Sequence, residues 1–205
     1  MIILGITGGV GSGKSRILNE LSEKEGVYVI EADRLAHRLM EPGEEVYHAI
    51  VSEFGHDILD ENLSVDRKKL GDIVFGNEEK LATLNSITHP IVKQNIQRII
   101  DEKKKEGIRL LVIEAALLIQ DGYKEICDEI WYIWADRETR IKRLASQRGY
   151  SLEKCISIFE SQESDEYYER YTDFTINNDK SYENSSKQLN ARLNILLNND
   201  ILNNI

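Results

Sequence analysis

An eight-residue stretch near the N-terminus, Gly-Gly-Val-Gly-Ser-Gly-Lys-Ser at residues 8–15, constrains this chain more than any other feature. It follows an apolar run, Ile2-Ile3-Leu4, which predicts a buried first strand. Behind it Ile17, Leu18 and Leu21 have helical spacing, so the order is strand, loop, helix. This context separates a phosphate-binding P-loop from the alternative, a glycine-rich turn with a chance Lys-Ser pair. The sequence therefore predicts a nucleoside triphosphate site.

The chemistry of such a loop assigns candidate residues. Backbone N–H groups would surround the triphosphate, and the following helix would direct its N-terminus at the anion. Lys14 would reach the β- and γ-phosphates as a catalytic residue, and the Ser15 hydroxyl would bind Mg²⁺. The predicted nucleotide-binding residues of the loop are Gly8, Gly9, Val10, Gly11, Ser12, Gly13, Lys14, Ser15 and Arg16.

Length and composition narrow the class of protein. The 205 residues suit one α/β core with an insertion, and no segment approaches the roughly 20 uncharged apolar residues of a membrane span. No signal peptide is recognised at the N-terminus, and Cys127 and Cys155 lack metal-ligand spacing, so we expect a cytoplasmic protein. The formal net charge of −10 argues against a nucleic-acid-binding surface.

Strand and helix patterns alternate along much of the chain. Strands are predicted at Ile2–Leu4, Val27–Ile30, Leu110–Ile113, Ile130–Ala135 and Phe174–Ile176. A helical pattern over Ile91–Lys105 would begin just after His89-Pro90. The pattern predicts a P-loop NTPase-type, doubly wound parallel sheet of about five strands.

The segments that do not fit the alternation predict a three-part organisation. The nucleotide-binding core would comprise residues 1–33, 89–138 and 172–205. Residues 34–88 have helical patterns without a convincing strand and are expected to form a helical acceptor-binding insertion. Residues 139–171, which are polar and highly charged, would form a lid.

The remaining residues favour a kinase over the other P-loop classes. The chain has neither the Asn-Lys-x-Asp guanine-binding motif nor the Leu-Ser-Gly-Gly-Gln motif of transporter ATPases. Asp33, just after the second predicted strand, could accept a proton from an acceptor hydroxyl and help hold Mg²⁺. The alternative is that Asp33 only caps a helix beginning at Arg34.

A series of short motifs then follows in order along the chain. They are Glu31-Ala32-Asp33 with His37, Phe54-Gly55 with Ile58-Leu59, Asp66-Arg67 with Leu70 and Val74-Phe75, His89-Pro90, Leu117-Leu118, Arg140 with Arg143, Gln162, and Asp173, Ile176 and Asn178. Because these motifs occur in this order behind a P-loop, the chain resembles the dephospho-coenzyme A kinases over nearly its whole length.

The resemblance implies a reaction and roles for particular residues. ATP, with Mg²⁺, would phosphorylate the ribose 3′-hydroxyl of dephospho-coenzyme A. Arg143 and Arg148 would act catalytically from the lid, while Arg140 and Asn178 would bind the nucleotide. Asp33, Arg67, His89 and Leu117 would contact the acceptor. A small-molecule substrate and a monomer or weak homo-oligomer are expected.

Several positions depart from the family pattern, and other interpretations stay open. Ala116 and Gln120 replace the proline and glutamate that usually flank Leu-Leu, and Glu31 replaces an aspartate. In the lid, Ile158 and Tyr168 stand where basic residues are common. The alternatives are another small-molecule or nucleotide P-loop kinase, or a non-catalytic ATP-binding regulatory module. His89 could instead bond to backbone, and Glu114 could be either a carboxylate near Mg²⁺ or a structural ion-pair partner.

Overall fold

A five-stranded parallel sheet organises the protein, as seen in a computed structural model that describes residues 1–203, with side chains through Asn198. The strands are β1 (Ile2–Thr7), β2 (Val27–Glu31), β3 (Leu110–Glu114), β4 (Glu129–Trp134) and β5 (Phe174–Asn177). Their order across the sheet is β2-β3-β1-β4-β5. β1 pairs in parallel with β3 and with β4, and β4 pairs in parallel with β5. The predicted fold class and all five predicted strands are confirmed.

Helices occupy most of the remaining chain. They are α1 (Lys14–Ser22), α2 (Ala32–Leu39), α3 (Glu45–Phe54), α4 (Arg67–Val74), α5 (Glu78–Lys105), α6 (Arg137–Arg148), α7 (Leu152–Glu160), α8 (Asp165–Tyr171) and α9 (Tyr182–Asn203). No helix within residues 1–203 is both long and apolar enough to span a bilayer.

The central strand is buried because both of its sheet neighbours and the helices cover it. Leu4 and Ile6 of β1 are fully buried and belong to a core cluster that includes residues of α1, β3, β4, β5 and α9. Each leucine or isoleucine buried in this way stabilises the fold by about 1.5–3 kcal/mol before the entropy of folding is counted. This core fixes the carboxyl end of β1, from which the Gly8–Ser15 loop departs.

The chain separates into two compact units. One, the sheet unit, comprises Met1–Val29 and Lys104–Ile205, and the other, the helical unit, comprises Ile30–Lys103. Within the helical unit α3 packs against α2, and its residues Val46 and Ile50 are fully buried. The three-part division into core, insertion and lid stays a prediction.

The helix that contains Pro90 is longer than the sequence predicted. We expected it to begin after Pro90, because proline lacks an N–H and usually marks a helix boundary. Instead, α5 begins at Glu78 and passes through Pro90. A buried stripe of Thr88, Val92, Ile96 and Ile100 continues across that position at four-residue spacing. The burial of this stripe outweighs the lost backbone bond, so the predicted helix start was wrong.

Candidate nucleotide-binding site

The Gly8–Ser15 loop joins the end of β1 to the start of α1, as the motif requires. Thr7 is fully buried at the strand end, and α1 begins at Lys14. Within the loop, Ser12 N–H donates to the Gly9 carbonyl at 3.1 Å, and Arg16 N–H donates to the Gly13 carbonyl at 3.2 Å. The predicted strand–loop–helix context is therefore present, and the loop is a folded turn at a helix N-terminus, a position suited to anions.

The amine of Lys14 lies over its own loop. Its Nζ donates to the Gly8 carbonyl at 2.6 Å and lies 3.9 Å from Oε1 of Glu114 at the end of β3. Glu114 is buried, and its carboxylate lies where it can orient the lysine side chain. Of the two roles considered for Glu114, this contact supports the structural ion pair.

Arg140 of α6 braces the loop from one side. Its Nε–H donates to the Val10 carbonyl at 2.9 Å, and one terminal nitrogen donates to Oε1 of Gln162 at 2.5 Å. The same Gln162 oxygen accepts from Val10 N–H at 3.3 Å, and the guanidinium carbon lies 4.2 Å from the centre of the Phe159 ring. Burial lowers the pKa of Arg140. Arg140 thus links the loop to the connection between α7 and α8.

Arg143 and Asn178 hold the loop from a second direction. Arg143 donates to the Ser12 carbonyl at 3.0 Å and to the Asn178 carbonyl at 2.6 Å. Asn178 Nδ2 donates to the same Ser12 carbonyl at 2.7 Å, and its Oδ1 accepts from Ser185 Oγ at 2.7 Å. Both residues therefore contact the loop backbone in this structure, and the catalytic role of Arg143 and the nucleotide contact of Asn178 stay predictions.

Two of the loop glycines are explained by these contacts. A Cβ on Gly9 would collide with the Arg140 guanidinium, and a Cβ on Gly13 would collide with Asn178 Nδ2. Gly13 also has φ of +90°, in a region that side chains disfavour. Glycine is needed at these positions because protein side chains approach the backbone closely there.

The donor set of the loop fits a polyphosphate with Mg²⁺. Among the described residues, the buried side-chain oxygens without a hydrogen-bond partner are Thr7 Oγ1 and Ser12 Oγ, both at this loop. Ser15 is exposed in the first turn of α1. Within the described part of the chain no cluster of three His, Cys, Asp or Glu side chains could hold a metal. A Mg²⁺ ion held mainly by phosphate oxygens, water and one hydroxyl is consistent with this donor set.

A carboxylate of α8 ties the predicted lid to the sheet. Asp165 accepts a hydrogen bond from Tyr132 Oη at 2.6 Å and one from Trp134 Nε1 at 2.8 Å, both donors being on β4. Tyr168 is buried and stacks on Tyr132 with ring centres 4.8 Å apart. Burial raises the pKa of Tyr132. Tyr168 is thus a packing residue of α8, whereas the family pattern led us to expect a basic position there.

Three other candidates of the sheet unit lie at its surface. Arg148 ends α6 and is exposed, with its guanidinium carbon 5.9 Å from the Tyr150 ring centre. The Arg16 guanidinium stacks on Tyr182 of α9 at 3.6 Å. Leu117 is 45% exposed after β3. Exposure leaves Arg148 and Leu117 accessible to ligands.

The candidates for the acceptor and the base belong to the helical unit. Asp33 is exposed and is the second residue of α2, whose N-cap is Glu31. The alternative that Asp33 caps a helix starting at Arg34 is therefore wrong, since the helix starts two residues earlier. Arg67 is exposed at the first position of α4, and His89 is half-buried within α5.

Sequence reasoning identified Arg140, Arg143 and Asn178 but missed other residues that support the loop. Ser185 and Phe159 were not considered, and Gln162 was noted only as a family match. Nothing local distinguishes Ser185 from the adjacent Ser186, so no sequence signal could have identified it. Its importance depends on the burial of one hydroxyl against Asn178.

Comparison with known proteins decides the family. A profile of the family described as "Dephospho-CoA kinase" matches residues 2–184, which include the loop, Arg140, Arg143 and Asn178. The chain belongs to the dephospho-CoA kinase family. The resemblance found in the motifs is thereby confirmed, and with it the enzyme class.

Curated relatives extend over almost the same length. A dephospho-CoA kinase of Carboxydothermus hydrogenoformans is 40% identical over 190 residues, covering 91% of this chain and 90% of the relative. Another, of Dehalococcoides mccartyi, is 38% identical over 183 residues, covering 89% and 91%.

Solved structures agree with the fold. A dephospho-CoA kinase from Campylobacter jejuni superposes with a TM-score of 0.68 at 25% identity, covering 97% of this chain and 98% of that one. A shikimate kinase from Acinetobacter baumannii has a TM-score of 0.51 at 14% identity, covering 97% and 94%. The latter likeness supports only the shared P-loop kinase fold.

Proposed function

We propose that this protein transfers the γ-phosphoryl group of ATP to the ribose 3′-hydroxyl of dephospho-coenzyme A, giving coenzyme A and ADP. The observation that carries the proposal is family membership over residues 2–184 together with an intact, braced P-loop. This reaction would be the last step of coenzyme A biosynthesis. We further propose that the reaction takes place in the cytoplasm.

The proposed transfer is a direct displacement. The acceptor oxygen forms a bond to the γ-phosphorus, the bond from that phosphorus to the bridging β-γ oxygen breaks, and ADP leaves. The acceptor proton passes to the carboxylate of Asp33, which acts as the general base. The exposed position of Asp33 in the first turn of α2 supports this role, since its carboxylate has no hydrogen bond within the described residues.

The loop residues bind and neutralise the triphosphate. We assign the phosphates to the backbone N–H groups of residues 8–15 and to Lys14, whose amine would leave the Gly8 carbonyl for phosphate oxygens. Ser15 would hold Mg²⁺, which would neutralise charge on the β- and γ-phosphates. Asp33 is a candidate to support that ion.

The acceptor and lid assignments rest on position. Arg67, His89 and Leu117 are proposed to contact dephospho-coenzyme A, and Arg148 is proposed to meet phosphate from the lid. The exposure of Arg67, Arg148 and Leu117 is compatible with these roles.

A coupled assay of ADP release tests the proposal. The purified protein with ATP, Mg²⁺ and dephospho-coenzyme A should release ADP in an acceptor-dependent way, and phosphorus NMR should locate the new phosphate on the ribose 3′-oxygen. Lys14→Ala should abolish turnover with the fold retained, because Lys14 meets charge that grows toward the transition state. Lys187→Ala, which removes an exposed lysine paired with Glu183, is the matched control and should be fully active.

Other outcomes distinguish the competing functions. Turnover with shikimate or a nucleoside but not with dephospho-coenzyme A would assign a different kinase activity. Binding of ATP without turnover on any acceptor would indicate a regulatory module.

A further inference from the structure

Ser185 in the first turn of α9 is fully buried. Its hydroxyl lies 2.7 Å from Asn178 Oδ1 and 3.2 Å from the Asn177 carbonyl oxygen. Both neighbours are acceptors, so the single hydroxyl hydrogen must serve one of them. The shorter contact makes Asn178 the better-placed partner.

This hydrogen bond and the Ser12 carbonyl together hold the Asn178 amide in one orientation. Ser185 donates to Oδ1, and Nδ2 therefore faces the Ser12 carbonyl and donates to it at 2.7 Å. A flipped amide would set two acceptors against each other at Ser12, and the Ser185 hydroxyl would then accept from the NH₂ group and donate to the Asn177 carbonyl, its longer contact at 3.2 Å. The backbone N–H of Asn178 is fixed separately, by the Trp134 carbonyl at 2.7 Å.

The Ser12 carbonyl in turn controls the direction of an N–H in the loop. The peptide between Ser12 and Gly13 is trans and planar, so the Gly13 N–H points opposite to the Ser12 carbonyl. Asn178 and Arg143 both pull that carbonyl to one side of the loop. The Gly13 N–H is consequently directed to the other side, immediately before the N-terminus of α1, where anions bind.

We infer that Ser185 is a positioning residue for nucleotide binding, acting through Asn178 to hold the Ser12–Gly13 peptide in its phosphate-binding orientation. The inference rests on the proposed function, since it assumes that the loop binds ATP. Ser185 lies one residue beyond the end of the family match, so its role comes from the contacts alone.

The neighbouring serine provides a matched control. Ser186 Oγ donates to Glu20 Oε1 of α1 at 2.8 Å, a contact that joins α9 to α1 without reaching the loop. Ser185→Ala and Ser186→Ala each remove one hydroxyl from the same turn of α9. Only the first is expected to change the loop.

The experiment measures the dissociation constant of MgATP by titration calorimetry for wild type, both serine variants, Asn178→Ala and the Ser185→Ala/Asn178→Ala double variant. Chemical denaturation of each variant is measured in parallel. We expect Ser185→Ala to weaken MgATP binding about tenfold, since it leaves a buried carbonyl oxygen without its donor. Ser186→Ala should bind like wild type, and KM for dephospho-coenzyme A should change in neither.

The double variant identifies the route of the effect. If Ser185 acts only through Asn178, the double variant should bind MgATP as Asn178→Ala does, with no added loss. Ser185→Cys keeps a side chain of similar volume but donates only weakly, so it should give an intermediate loss of MgATP affinity. It replaces Ser185→Ala in the experiment if that variant does not fold.

Three results would overturn the inference. They are unchanged MgATP binding in Ser185→Ala, an equal loss in Ser186→Ala, and additive losses in the double variant. Failure of the wild type to bind MgATP would instead refute the proposed function, so the two failures are distinguishable.

Discussion

At the scale of single residues, the loop is held mainly through its carbonyl oxygens. The carbonyls of Gly8, Val10 and Ser12 accept from Lys14, Arg140 and Arg143 respectively. Each bond turns a carbonyl toward the protein, and the N–H groups are then available on the other side of their peptides. The loop is therefore pre-organised for an anion, which reduces the ordering cost that binding must overcome.

Arg140 should be more sensitive to a conservative change than its neighbour Lys142. Arg140→Lys loses the Nε–H bond to Val10, the bond to Gln162 and the planar contact with Phe159, so it should weaken ATP binding about 5- to 20-fold. Lys142 lies on the same helix, where it forms an exposed ion pair with Glu138. Lys142→Arg should therefore leave ATP binding unchanged. A titration with ATP measures both. Equal, small changes would show that Arg140 does not support the nucleotide site.

Asp33 should be needed for the chemical step. Asp33→Asn keeps the size of the side chain but removes the base, so we expect kcat to fall by at least about 10²-fold. Asp72→Asn, at an exposed position of α4, is the control and should keep full activity. Steady-state kinetics in both substrates checks this. An increase in KM with kcat unchanged would make Asp33 a binding residue.

At the scale of elements, the strands could be predicted and the supporting contacts could not. Apolar β-branched runs such as Leu110–Ile113 mark buried parallel strands locally. Residues three apart on a strand point to opposite faces. Trp131 accordingly packs in the core cluster, while Trp134 bonds to Asp165. In contrast, Asn178 donates a hydrogen bond to Ser12, which is 166 residues away in the sequence. A contact between residues so far apart leaves no local sequence pattern.

The start of α5 shows a second limit of prediction from sequence. A proline predicts a helix end because it lacks one hydrogen bond, a cost that is visible locally. The burial of Thr88 and Val92 on either side of Pro90 depends on the tertiary packing. Local rules therefore placed the start of this helix incorrectly.

Stabilisation of the transition state by the predicted lid should depend on Arg148. The Arg143 guanidinium is engaged with backbone carbonyls, whereas that of Arg148 makes no hydrogen bond or ion pair within the described residues. Arg148→Ala should therefore cost on the order of 2–4 kcal/mol of transition-state stabilisation, as single lost donors do. Arg170→Ala, an exposed arginine of α8, is the control. The measurement is kcat/KM for ATP.

A second variant tests whether an arginine introduced at position 158 can replace Arg148. Ile158 is half-buried on α7, at a position where the family pattern led us to expect a basic residue. Ile158→Arg should partly restore kcat/KM in the Arg148→Ala background. Absence of any rescue would mean that position 158 does not reach the phosphates.

At the scale of the whole molecule, stability should fall at alkaline pH. Burial raises the pKa of Cys127 from 9.0 to about 12, with smaller contributions from Asp128 and Asp173. Burial also raises the pKa of Tyr123 and of Tyr182 from 10.0 to about 12. Because the folded state favours the protonated forms, their contribution is complete below about pH 9 and is lost as the pH rises toward 12.

Urea unfolding between pH 8 and pH 11.5 measures this dependence. The free energy of unfolding should decline across the interval in the wild type and decline less steeply in Cys127→Ala. An identical slope in the variant would show that the thiol is not desolvated in the folded protein.

The bond between Asp165 and Trp134 gives the protein an internal optical probe. Trp131 and Trp134 are the two tryptophans of the chain, and Trp131 is fully buried. Only the Trp134 indole donates to α8. A displacement of α8 would move a carboxylate away from that ring and alter its emission, while Trp131 stays constant as a background. Any such displacement of α8 would therefore be detectable by intrinsic fluorescence in stopped-flow experiments, with Trp134→Phe as the blank.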